Sequence, residues 1–111
     1  MELLTKEHRE RLIKNHELHK EAYNQEHPED KSSKVVVKLF NPTGVGTWYL
    51  SEMNPYSEIM YGLCCIGEEP EIGSVSLKEL KELKTPPLGL GVERDKVFPM
   101  NKYTHDECRK L

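Results

Sequence analysis

The alternation of apolar and polar residues predicts a helix at the start of the chain, followed by a sheet. Residues 5–24 contain neither Gly nor Pro and are rich in good helix formers, with Thr5 placed to cap the first turn. Half of the stripe that repeats at steps of three and four residues is histidine. Its members are Leu4, His8, Leu12, His16, His19 and Tyr23. We therefore expect this helix to pack lightly and to be either the least stable part of the domain or a contact between copies.

Strand-like segments follow a polar linker at 27–33. Segments 34–40 and 47–53 are rich in β-branched and aromatic residues, and segment 59–66 has apolar residues on both of its faces. Short turns containing Pro, Gly or Asn separate these segments, so the pattern predicts an antiparallel meander with 59–66 as its central strand. Segment 71–75 is a candidate fourth, short strand.

Two capping-box patterns predict short helices in the second half of the chain. Ser76 begins a helix over 77–84, and Thr104 begins another at the C-terminus, with an extended segment at 92–98 between them. The elements together predict one α+β domain over residues 1–111, in which a mainly antiparallel sheet of three to five strands is covered by helices on one face.

Length and charge limit the classes of function. A chain of 111 residues fits a single domain, with the sheet and helix core in residues 34–111. Its net charge of −3 argues against a protein dominated by phosphate contacts, although it leaves room for a local basic face. We therefore expect at most weak, salt-sensitive binding to single-stranded nucleic acid. Three cysteines, two of them adjacent, indicate reduced thiols. With no signal-peptide pattern and no apolar stretch long enough for a membrane, we expect a cytoplasmic protein.

Five motifs follow one another along the chain. They are Leu3-Leu4-Thr5-Lys6, Trp48-Tyr49 with Glu52 nearby, Gly67-Glu68-Glu69-Pro70-Glu71-Ile72-Gly73, Ser76-Leu77-Lys78-Glu79-Leu80 and Glu93-Arg94-Asp95. In this order the chain resembles, over nearly its whole length, the uncharacterised bacterial family called domain of unknown function 2958. The histidine-rich segment through about residue 33 is longer than is usual in that family. The resemblance implies an accessory protein of a plasmid or another mobile element, and it implies no activity.

The candidate functional residues are an aromatic residue and a group of charged ones. Alternation places Glu93 and Asp95 on one face of an extended segment and Arg94 on the other. Such a triplet suits recognition or acid–base chemistry, or it is a salt-bridge group that ties the late segment to the sheet. Trp48 and Glu52 share a face of the second strand and would lie beside the triplet if the late segment pairs nearby. Core packing is the simpler interpretation of Trp48, whereas an exposed ring would suit base stacking or a partner.

Other polar groups have simpler structural interpretations. The acidic turn at 67–73 is interpreted as a solvated turn, with a hard cation or a basic partner as the alternative. His16 and His19 are interpreted as part of a solvated helix face, because a zinc site needs more ligands. Cys64 and Cys65 are interpreted as buried, inert thiols. No metal site and no cofactor is predicted.

Two functions from different classes follow. The first is a non-enzymatic binding module for protein or single-stranded nucleic acid, with Trp48, Glu52, Glu93, Arg94 and Asp95 as its binding residues. The alternative is a small hydrolase-type enzyme using Glu52, Glu93 and Asp95, which requires these carboxylates to converge in one cleft. The binding module is favoured because the sequence contains no recognisable nucleophile–base pair, phosphate loop or complete set of metal ligands. The oligomeric state is left open.

Overall fold

A computed structural model of the protein describes residues 3–24, 34–42, 45–85 and 90–110. The helices are α1 (Lys6–Asn24), α2 (Leu77–Glu82) and α3 (His105–Arg109). The strands are β1 (Val37–Phe40), β2 (Thr47–Met53), β3 (Ile59–Cys65), β4 (Glu71–Ser76), β5 (Lys84–Thr85), β6 (Leu90–Gly91) and β7 (Glu93–Arg94). The predicted linker at 27–33 lies outside the described residues.

The main sheet is antiparallel and has five strands in the order β4-β3-β2-β1-β7, while β5 and β6 pair separately. The predicted α+β class and antiparallel sheet are confirmed. The prediction that segment 59–66 is the central strand is wrong, because β7 adds to the outer side of β1 and makes β2 the centre. Tyr61 of β3 is 39% exposed, so one face of this strand is partly open to solvent.

The larger core lies between one face of the sheet and the helices α1 and α2. Trp48 and Leu50 of β2 are buried there with Leu12 of α1 and with Leu77 and Leu80 of α2. On the opposite face, Tyr49 and Leu63 form a second cluster with Cys108 of α3. The predicted one-sided packing therefore describes α1 and α2, whereas α3 covers the other face.

A β-bulge in β2 positions the candidate site. The register between β2 and β3 shifts between Leu50 and Glu52, so that Leu50 pairs with Gly62 and Glu52 pairs with Tyr61. The two strands come so close here that a Cβ at Gly62 would overlap the carbonyl oxygen of Tyr49. Ser51 is the extra residue of the bulge and, like Glu52, it is buried.

Polar contacts fix α1 on this bulge. The side-chain amide of Asn15 donates to the carbonyl of Ser51 at 3.0 Å, and Arg9 pairs with Glu58 in the turn before β3. Leu12 is fully buried beneath the helix. The helix is thus anchored by more than the light packing expected from its histidine-rich stripe. The side chain of Tyr23, the last member of that stripe, lies outside the described side chains.

The two short helices begin where their capping residues predict. The Ser76 hydroxyl accepts from the Glu79 amide at 3.4 Å, and Thr104 and Glu107 form a complete capping box. The helix predicted over 77–84 ends earlier, because Lys84 already belongs to β5. The segment predicted as extended over 92–98 contains only the short strand β7 before it turns at 96–97. No helix in the described ranges is long and apolar enough to cross a membrane.

Candidate functional site

The most unusual polar group of the described sheet is the carboxylate of Glu52, which is only 6% exposed. His19 Nδ1 lies 2.8 Å from Glu52 Oε2, and His16 Nδ1 lies 3.8 Å from Glu52 Oε1. Positions three apart lie on one face of a helix, which is why α1 can direct both imidazoles at one carboxylate. The interpretation of His16 and His19 as a solvated face is wrong, since both are partly buried against Glu52.

A cavity of about 350 Å³ opens beside these three side chains. Met53, Ile59 and Tyr61 supply its apolar walls, and Ser57 and Ser74 contribute to its lining. A buried carboxylate at the wall of an apolar cavity is a strong and selective acceptor for N–H donors. We name this space, together with Glu52, His16 and His19, the Glu52 cavity.

A second polar pair lies behind the wall of the Glu52 cavity. His105 Nε2 is 2.9 Å from the hydroxyl of Ser51, and the imidazole meets the Tyr61 ring edge-on with 6.1 Å between centroids. Burial lowers the pKa of His105 from its usual value, which favours the neutral ring. Because Ser51 is completely buried, its hydroxyl is not exposed to a substrate, and the pair serves to hold Tyr61 in place.

Strand β4 forms one edge of the sheet beside the Glu52 cavity. It pairs with β3 without a register shift over six residues, from Ser76 opposite Ile59 to Glu71 opposite Cys64. The Leu77 amide donates to the Glu58 carbonyl at 3.1 Å, so these two residues form a hydrogen-bonded pair. Hydrogen-bonded and non-hydrogen-bonded pairs alternate from there along β3 and β4. The N–H and C=O groups of Ile72 and Ser74 therefore point away from β3, toward a side where no described strand pairs.

An acidic groove runs along β4 as a second cavity, of about 740 Å³. Its carboxylates come from the solvated turn and from α2, and all four are exposed: Glu68, Glu69, Glu71 and Glu79. Its apolar part includes Ile66 and Ile72, which are 58% and 41% exposed. Ser74 lines both this groove and the Glu52 cavity.

The charged triplet predicted as a binding surface lies at the opposite edge of the sheet. Arg94 pairs with Leu39 of β1, and its guanidinium donates to the Leu3 carbonyl at 3.0 Å. Lys38 Nζ lies 3.6 Å from Asp95 Oδ2. Glu93, Arg94 and Asp95 line a cavity of about 430 Å³ of their own. These contacts tie the late segment to β1 and to the residues before α1, and a binding role for the triplet stays a prediction.

The structure does not bring Glu52 together with the triplet. Strand β1 separates β2 from β7, and Glu93 lies in the row of Phe40 and Thr47, at the far end of β2 from Glu52. Five residues of strand correspond to roughly 17 Å. The expected proximity to the triplet is therefore wrong for Glu52, whereas Trp48 does lie in the row of Leu39 and Arg94. The hydrolase hypothesis lacks the converging carboxylates that it requires.

The aromatic pair of β2 offers no exposed ring. Trp48 is 5% exposed in the larger core and Tyr49 is buried in the smaller one, so neither presents a face for base stacking. Trp48 contributes only to the lining of the acidic groove. A binding role for Trp48 stays a prediction.

Cys64 and Cys65 are half-buried rather than buried as predicted, whereas Cys108 is buried. Burial raises the pKa of Cys108 to about 11 and also raises the pKa values of Cys64 and Cys65. Within the ranges that the structure describes, no group of three or more His, Cys, Asp or Glu side chains is arranged to hold a metal ion.

Comparison with known protein families identifies the chain. Residues 3–105 match the family described as "Protein of unknown function (DUF2958)", which confirms the resemblance inferred from the motifs. Comparisons with curated proteins and with solved structures gave no match. The matched range contains the Glu52 cavity, the acidic groove and the whole main sheet. The chain therefore belongs to the DUF2958 family of proteins of unknown function.

Proposed function

We propose that the protein is a non-enzymatic binding module that accepts an extended, basic segment of a partner protein as an added strand on β4. The observation that carries the proposal is the outer edge of β4. Sheet edges in monomeric proteins are usually protected by Pro, by Lys, by a bulge or by being very short. Strand β4 reads Glu71-Ile72-Gly73-Ser74-Val75-Ser76 and contains none of these devices.

The backbone of β4 supports strand addition directly. The outward N–H and C=O groups of Ile72 and Ser74 can each form a hydrogen-bonded pair with an incoming strand. The other edge of the sheet is a weaker candidate, because β7 is only two residues long and both of its side chains are charged.

The surroundings of β4 support a basic partner. Four exposed carboxylates line the acidic groove, and the whole chain carries a net charge of −3. Exposed Ile66 and Ile72 provide apolar contacts between these charges. An incoming strand that alternates basic and apolar residues would satisfy both features. A nucleic-acid backbone would be repelled here, so a protein partner is favoured over single-stranded DNA or RNA.

The proposal also includes a cellular location and a genetic context. The role as an accessory protein of a plasmid or mobile element rests on what the family resemblance implied. The cytoplasmic location rests on the composition of the sequence. Both remain predictions that agree with a small binding module.

A labelled synthetic peptide that alternates lysine with valine tests the proposal in fluorescence polarisation with the full chain. We expect salt-sensitive binding that Ser74→Pro weakens about tenfold, because the proline removes an outward N–H and blocks the adjacent pairing. Proline is tolerated on the solvent side of an edge strand, so this variant should keep its fold.

Ser74→Ala is the matched control, since it removes the hydroxyl but keeps the N–H. It should bind the peptide like the unmodified chain. Equal affinity of the proline and alanine variants, or no binding of the peptide to the unmodified chain, would overturn the proposal.

A further inference from the structure

The Glu52 cavity lies in line with the edge at which the partner strand would add. Glu52 pairs with Tyr61, and Tyr61 pairs with Ser74, so the three residues form one row across β2, β3 and β4. Side chains in such a row share one face of a sheet. A partner residue placed opposite Ser74 would extend this row by one strand and direct its side chain along the same face.

The dimensions of this row select a long side chain. Three spacings between neighbouring strands place the partner residue about 14 Å from the backbone of Glu52. An extended arginine covers roughly half of this distance and so reaches well into the cavity that Ser74 and Glu52 both line. Shorter polar side chains would stop above β3.

The chemistry of the cavity selects a planar group with several N–H donors. The carboxylate of Glu52 is buried and is held in place by His19 at 2.8 Å, so its acceptor oxygens are fixed before a ligand arrives. A guanidinium group presents a rigid fork of donors to a carboxylate, which an ammonium group does not.

The route into the cavity also fits a guanidinium. The Tyr61 ring lies between Ser74 and Glu52 in the row, and its contact with His105 holds it there. A guanidinium stacks on an aromatic face while its edge remains free to donate hydrogen bonds. Anions are disfavoured because the buried group at the end of the path is a carboxylate.

We propose that the Glu52 cavity is a guanidinium-binding site that takes an arginine side chain of the strand docked on β4. That the arginine comes from this strand rests on the proposed function. Glu52 accepts the guanidinium, Tyr61 stacks on it, and His16 and His19 are positioning residues for the carboxylate. The partner segment then combines basic residues over the acidic groove with one arginine directed at Glu52.

A small probe separates this inference from strand docking. We would titrate the full chain with N-acetyl-arginine methylamide and follow the amide signals of the cavity by NMR. The citrulline analogue, which has the same shape without the charge, and the lysine analogue serve as comparisons. We expect saturable shifts at Tyr61 and Ser74 with the arginine probe, about tenfold weaker binding of citrulline, and an intermediate result for lysine.

Glu52→Gln should weaken the arginine probe by about tenfold. The matched control is Glu82→Gln, which removes an exposed carboxylate at the end of α2, outside the Glu52 cavity, and should change nothing. Tyr61→Leu keeps the carboxylate and serves if Glu52→Gln does not fold. It should weaken the arginine probe and reduce its advantage over lysine. Ile72→Pro, which removes the other outward N–H of β4 and does not line the Glu52 cavity, should leave the small probe unaffected, because the probe requires no strand pairing.

Three results would overturn the inference: equal affinity for arginine and citrulline, unchanged arginine affinity in Glu52→Gln, or the absence of shifts in the cavity. If the lysine–valine peptide still docks on β4 in that case, the proposed function stands and only the arginine site fails. If the arginine probe binds the cavity but the peptide does not dock, the proposed function fails and the guanidinium site remains.

Discussion

Gly62 is the position at which a single methyl group should cause the greatest damage to the sheet. A Cβ there would overlap the Tyr49 carbonyl oxygen and lie 2.8 Å from Leu50 Cα and 3.0 Å from Tyr49 C. All three atoms belong to the backbone of the central strand, so no side chain can rotate away to make room. The strands must separate next to the bulge that positions Ser51 and Glu52.

The expected cost of Gly62→Ala follows from this geometry. Overpacking of a core costs about 1–3 kcal/mol even where side chains can adjust. Backbone overlap together with loss of the local ladder places Gly62→Ala at about 3 kcal/mol or more, a large part of the ~5–15 kcal/mol that stabilises a typical domain. Replacing glycine by alanine in an ordinary strand tends to raise the free energy of unfolding instead, because alanine has less conformational freedom to lose on folding.

Gly73 provides the matched control, since it is the cross-strand partner of Gly62 and a Cβ there would meet nothing within 4 Å. Urea unfolding followed by the fluorescence of Trp48, the only tryptophan, measures both variants. We expect Gly62→Ala to lower the unfolding midpoint by about 1–3 M and Gly73→Ala to leave it nearly unchanged. If the free energies of unfolding of the two variants agreed within about 0.5 kcal/mol, the close approach of β2 and β3 would be refuted.

Two further predictions concern α1 and α3. Leu12→Ala should lower the free energy of unfolding by about 2–5 kcal/mol in urea denaturation, because Leu12 is fully buried on the inner face of α1. A loss below about 1 kcal/mol would instead support the lightly packed helix expected from the sequence. For His105, burial lowers the folded-state pKa below its usual 6.5, so the unfolded chain takes up a proton first as the pH falls through this value. Stability should therefore decrease below about pH 6.5, and His105→Gln should reduce that decrease. The pKa of His8 is also lowered, and its contribution should remain in both the unmodified protein and the variant. Identical pH profiles of the two proteins would contradict the assignment.

Local signals in the sequence predicted the elements well because their causes are local. The hydroxyls of Ser76 and Thr104 accept amide hydrogen bonds three residues later, as their capping patterns require. The order of strands was less predictable. Nothing in segment 92–98 signals that its first part pairs with β1, and this pairing determines both the central strand and the fact that β4 stays at an edge.

The candidate site depends on contacts between distant segments. The sequence indicated Glu52 and showed that His16 and His19 share a helix face, but it did not connect them. That connection requires the bulge at Ser51 and the packing of α1 on β2, where Asn15 binds the Ser51 carbonyl. The same long-range placement separates Glu52 from Glu93, because β1 lies between their strands.

Amide hydrogen exchange on β4, with and without the lysine–valine peptide, tests the central claim most directly. In the free protein, Ile72 and Ser74 should exchange rapidly because their amides point outward, while Gly73 and Val75 should be protected by their pairing with β3. Addition of the peptide should slow exchange at Ile72 and Ser74 specifically. Rapid exchange at these two amides under saturating peptide, with protection appearing at β7 or α1 instead, would contradict strand addition at β4.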